Sequence, residues 1–176
     1  MFGNRTKCDG EGRGPTSTLL IDRPDQRDGT AMWRIARDSE VLDLNSSYSY
    51  LLWARDFAET SVVARLGTDL VGFVTGYLRP DSPGTLFVWQ VAVDARHRGR
   101  GVAGAMLEVL VERACARGAR FLETTITPAN RPSVGLFTSL ARTSGVGLEH
   151  QPLFPSELFP HAHEAEDLYR VGPWPS

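Results

Sequence analysis

The stretch Arg96 to Ala103, RHRGRGVA, constrains this chain more than any other segment. It follows an apolar run, Leu86-Phe87-Val88-Trp89-Gln90-Val91-Ala92-Val93, that reads as a buried strand. A long helical pattern, Val102 to Ala116, comes directly after it. A strand, a basic glycine-containing turn and a helix N-terminus together make an anion site. The turn exposes backbone N–H groups, the helix end adds partial positive charge, and the arginines add full charge. Gly99 and Gly101 let a phosphate approach the backbone without Cβ obstruction. The pattern GxxxxGK[ST] is not present, so a nucleotide P-loop lacks its usual signal.

The chain has 176 residues, enough for one domain with its own core. Its formal net charge of −2 implies no polyanion partner, so nucleic acid is not expected. Lys7 is the only lysine; the other positive charges are arginines. Cys8 and Cys115 are too few for a disulfide framework, and a reducing cytoplasm is the default reading. No apolar run approaches ~18 residues, so no membrane span is expected. Residues 1–17 are polar, charged and Gly-rich with no apolar h-region; they read as a disordered tail, not a secretory signal. The domain is expected over residues 18–172, with a short tail at 173–176.

Periodicity orders the elements. Thr18 to Ile21 reads as a first strand. Asp28 is expected as the N-cap of a helix at Gly29 to Arg37. The loop Asp38 to Ser46 carries Asp43 and Asn45, and Ser47 to Phe57 reads as a second helix. Thr60 to Leu66 and Asp69 to Leu78 form a hairpin around Gly67-Thr68-Asp69. Pro80 to Gly84 is expected as a loop before the strand Leu86 to Val93, whose two apolar faces mark a central position. The helix after the basic turn carries a wide apolar stripe, Val102, Met106, Leu110 and Ala114 beside Ala103, Leu107 and Val111, and stops at Gly118. Phe121 to Ile126, a helix at Asn130 to Leu140, and two last strands at Gly147 to Leu153 and Leu168 to Val171 complete the order β-α-α-β-β-β-α-β-α-β-β. There are no internal repeats.

Arg96-x-x-Gly99-x-Gly101 resembles the [RQ]-x-x-G-x-[GA] signature of the GNAT acetyltransferase superfamily, and the element order is similar over roughly residues 19–172. The resemblance implies an α/β (α+β) fold, a mixed, mostly antiparallel sheet with splayed central strands flanked by helices, and acetyl-CoA as co-substrate. Several strings also resemble one family within it, the diaminobutyrate acetyltransferases of ectoine biosynthesis. They are LDLNSSYSYLL (Leu42 to Leu52), GFVTGYLRP (Gly72 to Pro80), LFVWQVAVD (Leu86 to Asp94), LETTITPAN (Leu122 to Asn130) and HEAEDLYRV (His163 to Val171). This implies acetyl transfer to the 4-amino group of L-2,4-diaminobutyrate, in the cytoplasm, by a homodimer.

The resemblance assigns the cofactor to Val91, Ala92 and Val93, whose backbone would pair with the pantetheine arm, and to Arg96, Arg98, Gly99, Arg100, Gly101, Val102 and Ala103 around the pyrophosphate. Asn130 and Phe137 complete that set; Asn130 is equally a good helix N-cap. The substrate set is Asp43, Tyr48, Tyr50, Trp89, Thr125, His163 and Glu164; the run His163, Glu164 and Glu166 reads either as a solvated tail or as part of the substrate site. Trp89 reads either as a core aromatic or as a cation–π partner for an ammonium.

The general base and acid depart from the superfamily pattern. Leu86 to Val93 has no carboxylate, Thr125 holds the common fifth-strand position, and Phe137 stands where a Tyr acid is frequent. Glu123 is the nearest substitute base, with an ion pair as its competing reading; Tyr48 or Tyr50 is the candidate acid. His150, His161 and His163 lack the cysteine spacing of a zinc site, so no metal is expected. Two other readings stay open: a GNAT acting on another small amine or a peptide N-terminus, and a non-enzymatic acyl-CoA sensor.

Overall fold

The computed structural model describes residues 18–39, 42–160 and 163–175. The tail expected at 1–17 and His161 lie outside these residues. Seven strands form one sheet: β1 (Leu19–Asp22), β2 (Val62–Leu66), β3 (Asp69–Arg79), β4 (Ser82–Val93), β5 (Phe121–Ile126), β6 (Gly147–Phe154) and β7 (Glu166–Gly172). Four helices flank it: α1 (Gly29–Ser39), α2 (Ser47–Asp56), α3 (Val102–Cys115) and α4 (Arg131–Ser144). The order expected from periodicity is the order observed.

The strand order across the sheet is β1-β2-β3-β4-β5-β7-β6. All neighbours are antiparallel except β4 and β5. β2 and β3 join through Gly67 and Thr68, with Gly67 at φ +61°. Alternation along each strand feeds two cores. Val62, Ala64, Val71, Leu86 and Val88 pack on α3 and α4. Val63, Phe73 and Ala92 pack with Met32, Ile35, Tyr50 and Ala54 of α1 and α2. In α1 the buried residues Met32, Ile35, Ala36 and Ser39 follow helical spacing, so one stripe meets the sheet.

Three local expectations change. Asp28 does not cap α1. Asp25 caps a 3₁₀ turn at Gln26–Asp28, with Asp28 returning a bond to the Asp25 N–H, and the buried Asp28 carboxylate meets Arg65 at 2.7 Å. β4 begins at Ser82, not Leu86, because Ser82 already pairs with Arg79. Pro83 is tolerated there: it precedes Thr85, the first residue that pairs with β5. The C-terminal residues also do more than trail. Trp174 packs against the α3/α4 core, donates its N–H to the Arg120 carbonyl at 2.9 Å, and receives Arg120 Nε at 3.2 Å.

Candidate active site

β4 and β5 stay paired over only three residues, Thr85–Phe87 against Phe121–Glu123. Beyond that point they separate. The opening is lined by residues 88–91 of β4 and by Thr124, Thr125 and Ile126 of β5, continuing to Thr127. Asn130 and Phe137 of the α4 segment close one side; Asp43, His163 and Glu166 stand at the other.

The β4 wall carries a bulge. Thr75 pairs with Gln90 and the next residue, Gly76, pairs with Val88, so Trp89 is the extra residue. Side-chain parity flips there. Leu86 and Val88 point to the α3/α4 core before it, while Val91 and Val93 do so after it. Trp89 and Gln90 therefore both face α2. The bulge costs a regular ladder partner, and the buried Thr75 hydroxyl accepts the Gln90 N–H instead, at 3.2 Å. Past the bulge, the Asp94 N–H donates to the Val71 carbonyl on β3 at 2.9 Å. Antiparallel alternation turns Ala92 toward β3 with it and leaves the Val91 and Val93 backbone pointing into the splay. Of the three strand residues expected at the cofactor arm, Val91 and Val93 have backbone groups that face the splay, the Val93 carbonyl being taken by Arg98 Nε.

β4 leads directly into the basic turn. Asp94 caps a 3₁₀ turn at Ala95–His97 by accepting the Arg96 N–H at 3.1 Å, and its carboxylate also receives Arg96 Nε and Nη2 and Arg34 Nη1 at 3.0–3.2 Å. These guanidinium hydrogen bonds hold the Asp94 carboxyl far below the usual carboxylate range, against the opposing effect of its burial. Arg98 Nε donates to the Val93 carbonyl at 3.0 Å, sealing the end of the strand. Gly99 and Gly101 sit at φ +73° and +78°, which favours glycine, and a Cβ at either would meet nothing within 4 Å. Both positions thus require glycine's backbone freedom, and a Cβ at either would project into open space. Gly101 is the N-cap of α3, and the first bond into the helix runs from the Ala105 N–H to its carbonyl. The N–H groups of Val102, Ala103 and Gly104 thus lie ahead of the helical ladder, as an anion site requires.

The acceptor side is acidic. Asp43 is exposed, with His163 Nε2 3.4 Å from its carboxylate. His163 Nδ1 donates to the Glu164 carbonyl at 2.6 Å, and Phe159 stacks on the ring at 4.1 Å. The Glu164 carbonyl bond first, then Asp43, raises the His163 pKa. Burial raises the Glu166 carboxyl above its ordinary range; a Thr125 hydrogen bond and the nearby His163 oppose this, while Asp43 and Asp167 add to it. Trp89, half-exposed over the cleft, packs on Trp53 at 5.0 Å.

A family model described as Acetyltransferase (GNAT) family matches residues 28–141. The L-2,4-diaminobutyric acid acetyltransferase of Streptomyces coelicolor is 61% identical over 158 residues, covering 88% of this chain and 93% of that protein. The protein of the same name from Marinococcus halophilus is 42% identical over 162 residues, covering 92% and 94%. The chain belongs to the diaminobutyrate acetyltransferase family. Among solved structures, diaminobutyrate acetyltransferase EctA from Paenibacillus lautus, in complex with L-2,4-diaminobutyric acid and coenzyme A, superposes with a TM-score of 0.86 at 40% identity, covering 91% of this chain and 98% of that one. Ard1 from Thermoplasma volcanium, at 16% identity and a TM-score of 0.72, shares the fold.

Within this acetyltransferase, several candidate residues lie elsewhere than expected. Glu123 does not line the cleft. It sits at the last β5 position paired with β4, buried, with Arg79 Nη1 at 2.7 Å and Arg170 Nε at 3.7 Å, so the ion-pair reading describes it. Tyr50 is wholly buried against Phe73 and gives its hydroxyl to Gln90, while Tyr48 is 64% exposed; neither lines the cleft. Glu164 points to solvent, and Glu166, two residues on, takes the place at the cleft. Asn130 both lines the cleft and caps α4, accepting the Ser133 N–H at 3.2 Å. Phe137 is buried and lines the same cleft. Arg96, Arg98 and Arg100 are exposed on the turn, but the Arg96 guanidinium is spent on Asp94.

The glycine pattern also reads two residues later, as Arg98-x-x-Gly101-x-Ala103, where its fixed glycine is the helix N-cap. Gly99, Gly101 and Gly104 spell GxGxxG as well, a dinucleotide pattern. Here the strand ahead of it lies in a mostly antiparallel sheet and parts from β5 after three pairs, which opens a cleft between them. Among the described residues no group of three His, Cys, Asp or Glu side chains is placed to hold a metal ion. None of the described helices is long and apolar enough to cross a membrane.

Proposed function

We propose that the protein transfers the acetyl group of acetyl-CoA to the 4-amino group of L-2,4-diaminobutyrate, giving N4-acetyl-L-2,4-diaminobutyrate and CoA, as an acetylation step of ectoine biosynthesis. The carrying observation is the β4/β5 splay. It sets strand backbone at Val91 opposite an acidic mouth of Asp43 and Glu166, with a helix N-terminus at the end of the same strand.

The amine must be neutral to attack. An alkyl ammonium with pKa near ~10 is neutral about once in a thousand molecules at pH 7, which costs about 4 kcal/mol without a base. In this reading Glu166 is the base, and its raised pKa brings proton acceptance closer to neutral pH. Asp43 pairs with the 2-ammonium, and the Trp89 face takes part of its charge. The amine nitrogen forms its bond to the thioester carbon while the Val91 N–H polarises the oxygen. Collapse breaks the C–S bond. A thiol of pKa near ~8.5 leaves as thiolate with little help, so no acid is needed in place of the tyrosine that Phe137 replaces.

The reading extends to assembly. β6 pairs only with β7, its residues are nearly all exposed, and Leu153, Phe154 and the following Leu158 present apolar surface. An open, apolar edge of this kind suits a second copy, so the protein is a homodimer in this account, acting in the cytoplasm where acetyl-CoA is supplied. The test is turnover of acetyl-CoA against a panel of amino acids, diamines and peptides. An acetyl-sized mass gain on diaminobutyrate supports the reading. Turnover only with peptides or other amines, or CoA binding without turnover, overturns it. Sedimentation at monomer mass would remove the dimer.

A further inference from the structure

The acceptor loop, residues 42–46, joins α1's side of the molecule to α2 and carries Asp43 to the mouth of the cleft. Its tie to the sheet runs through one buried side chain. Gln90, 4% exposed, donates Nε2 to the Asp43 carbonyl at 3.0 Å and accepts the Tyr50 hydroxyl on Oε1 at 3.1 Å. The amide has one orientation that satisfies both neighbours. A carbonyl can only accept, so the NH₂ must face Asp43, and the hydroxyl supplies the proton that the amide oxygen needs. Gln90 reaches both partners because of the bulge. Without the extra residue at Trp89, strand parity would point Gln90 into the α3/α4 core and leave nothing under the loop. Thr75 holds the bulge by accepting the Gln90 N–H. The same Asp43 carbonyl also accepts Asn45 Nδ2 at 3.2 Å, which closes the loop on itself.

We propose that Tyr50 and Gln90 are positioning residues: a buried hydroxyl–amide latch that fixes the height of Asp43 over the bulged strand and so sets where the amine acceptor is held. Tyr50 orients Gln90 and also meets Asn45 of the loop directly, Gln90 holds the Asp43 backbone, and the Asp43 carboxylate then faces His163 at 3.4 Å. The cofactor turn shares no side chain with this chain of bonds. The latch therefore acts on the amine and not on acetyl-CoA. The kinetic part of this proposal rests on the acetyl-transfer reading above; the loop-anchoring part does not.

The test is a double-mutant cycle in the full-length protein. Tyr50→Phe keeps the ring and its edge contact with Phe73 while removing the hydroxyl; Gln90→Leu keeps the approximate volume and removes both amide bonds. Amide hydrogen exchange over residues 42–46 should speed at least fivefold in each variant, and this readout stands whatever amine the protein acetylates. The KM for diaminobutyrate should rise about tenfold in Tyr50→Phe, with kcat reduced less than threefold and the acetyl-CoA KM unchanged. The double variant should lose clearly less than the sum of the two single penalties, because the Tyr50–Gln90 bond is shared by both substitutions. Unchanged exchange in the loop overturns the latch. So do equal rises in the two Michaelis constants, faster exchange without any change in the amine KM, or additive penalties in the double variant. If the wild-type protein leaves diaminobutyrate unacetylated, the transfer reading fails, and the exchange result alone decides the latch.

Discussion

Asp94 receives the Arg96 guanidinium on two bonds, Nε at 3.1 Å and Nη2 at 3.0 Å, with the carboxylate side chain 8% exposed and the arginine side chain 74% exposed. The buried member fixes the exposed one. Asp94 also caps the turn, so the strand that offers Val91 and the turn that leads to Gly101 are held at one joint. Asp94→Asn keeps the shape and removes the charge. The CoA dissociation constant measured by calorimetry should rise about tenfold, and an unchanged value would show that the turn holds its form without the joint. The sign of the pH effect follows from the lowered Asp94 pKa. Stabilisation is present above the unfolded carboxylate pKa of ~3.9 and is lost as pH falls toward the folded value. The melting difference between wild type and Asp94→Asn should be flat from about pH 5 to pH 8 and shrink in stronger acid.

Gly101 tests the anion site itself. Its φ of +78° strains any other residue by roughly 1–2 kcal/mol, while a Cβ there meets open space. Gly101→Ala should therefore lower the melting temperature slightly and weaken CoA modestly. Gly101→Asp adds negative charge at the helix N-terminus and should weaken CoA about a hundredfold with a similar melting temperature. Equal CoA affinities for the two variants would separate the helix terminus from phosphate binding.

Glu166→Gln addresses the base. Removing general base catalysis costs about 10²–10⁴ in rate, so kcat should fall in that range with acetyl-CoA affinity retained. In the wild type, protonation of Glu166 should give an acid limb to the rate profile above the ordinary glutamate range, and the variant should lack it. Stability moves the other way. A carboxyl whose pKa is raised on folding contributes stability below its unfolded pKa and loses it as pH rises through the folded value. Glu166→Gln should thus melt no lower than wild type at pH 8. A variant that keeps full kcat across the pH range contradicts the assignment.

Glu123→Gln should do the reverse. The buried carboxylate holds Arg79 and Arg170, whose side chains are 39% and 36% exposed. Leaving them unpaired should cost roughly 1–3 kcal/mol, less than the ~3–5 kcal/mol of a fully buried pair because both arginines reach water. The melting temperature should drop while kcat/KM stays within about threefold. A hundredfold loss of kcat at unchanged stability would restore Glu123 as the base.

What the sequence made legible was local. The α3 stripe, the Gly67-Thr68 hairpin and the strand–turn–helix around Gly101 rest on periodicity and glycine conformation, which neighbouring residues determine. Tyr48 and Tyr50 were also decidable: two residues apart on a helix they point in different directions, and Tyr50 is buried while Tyr48 is exposed. Glu166 was legible only as one of the run His163, Glu164 and Glu166, and strand length hid which of them faces the cleft. β7 read from Leu168 leaves Glu166 in a loop, whereas β7 begins at Glu166 and runs between β5 and β6. The bulge at Trp89 depends on Thr75, 15 residues from Gln90, and the pairing of Glu123 with Arg79 and the meeting of Asp43 with Gln90 and His163 depend on partners 44 to 120 residues away. No single-strand pattern carries them.

In the proposed reaction, anchoring rather than basicity selects the amine. In diaminobutyrate the 2-amine is the less basic, so solution reactivity at pH 7 does not favour the 4-amine. With the 2-ammonium on Asp43, only the side-chain nitrogen reaches the thioester beside Val91. Removing one methylene, as in 2,3-diaminopropionate, retracts the nucleophile by roughly an ångström, a misplacement that can cost about a hundredfold in rate. The direct measurement is NMR assignment of the acetylated products from diaminobutyrate, 2,3-diaminopropionate and ornithine incubated separately with acetyl-CoA, together with kcat/KM for each. A single 4-acetyl product is expected from diaminobutyrate, with kcat/KM values about a hundredfold lower for the other two. Mixed 2- and 4-acetyl products, or comparable turnover of all three, would contradict selection by anchoring.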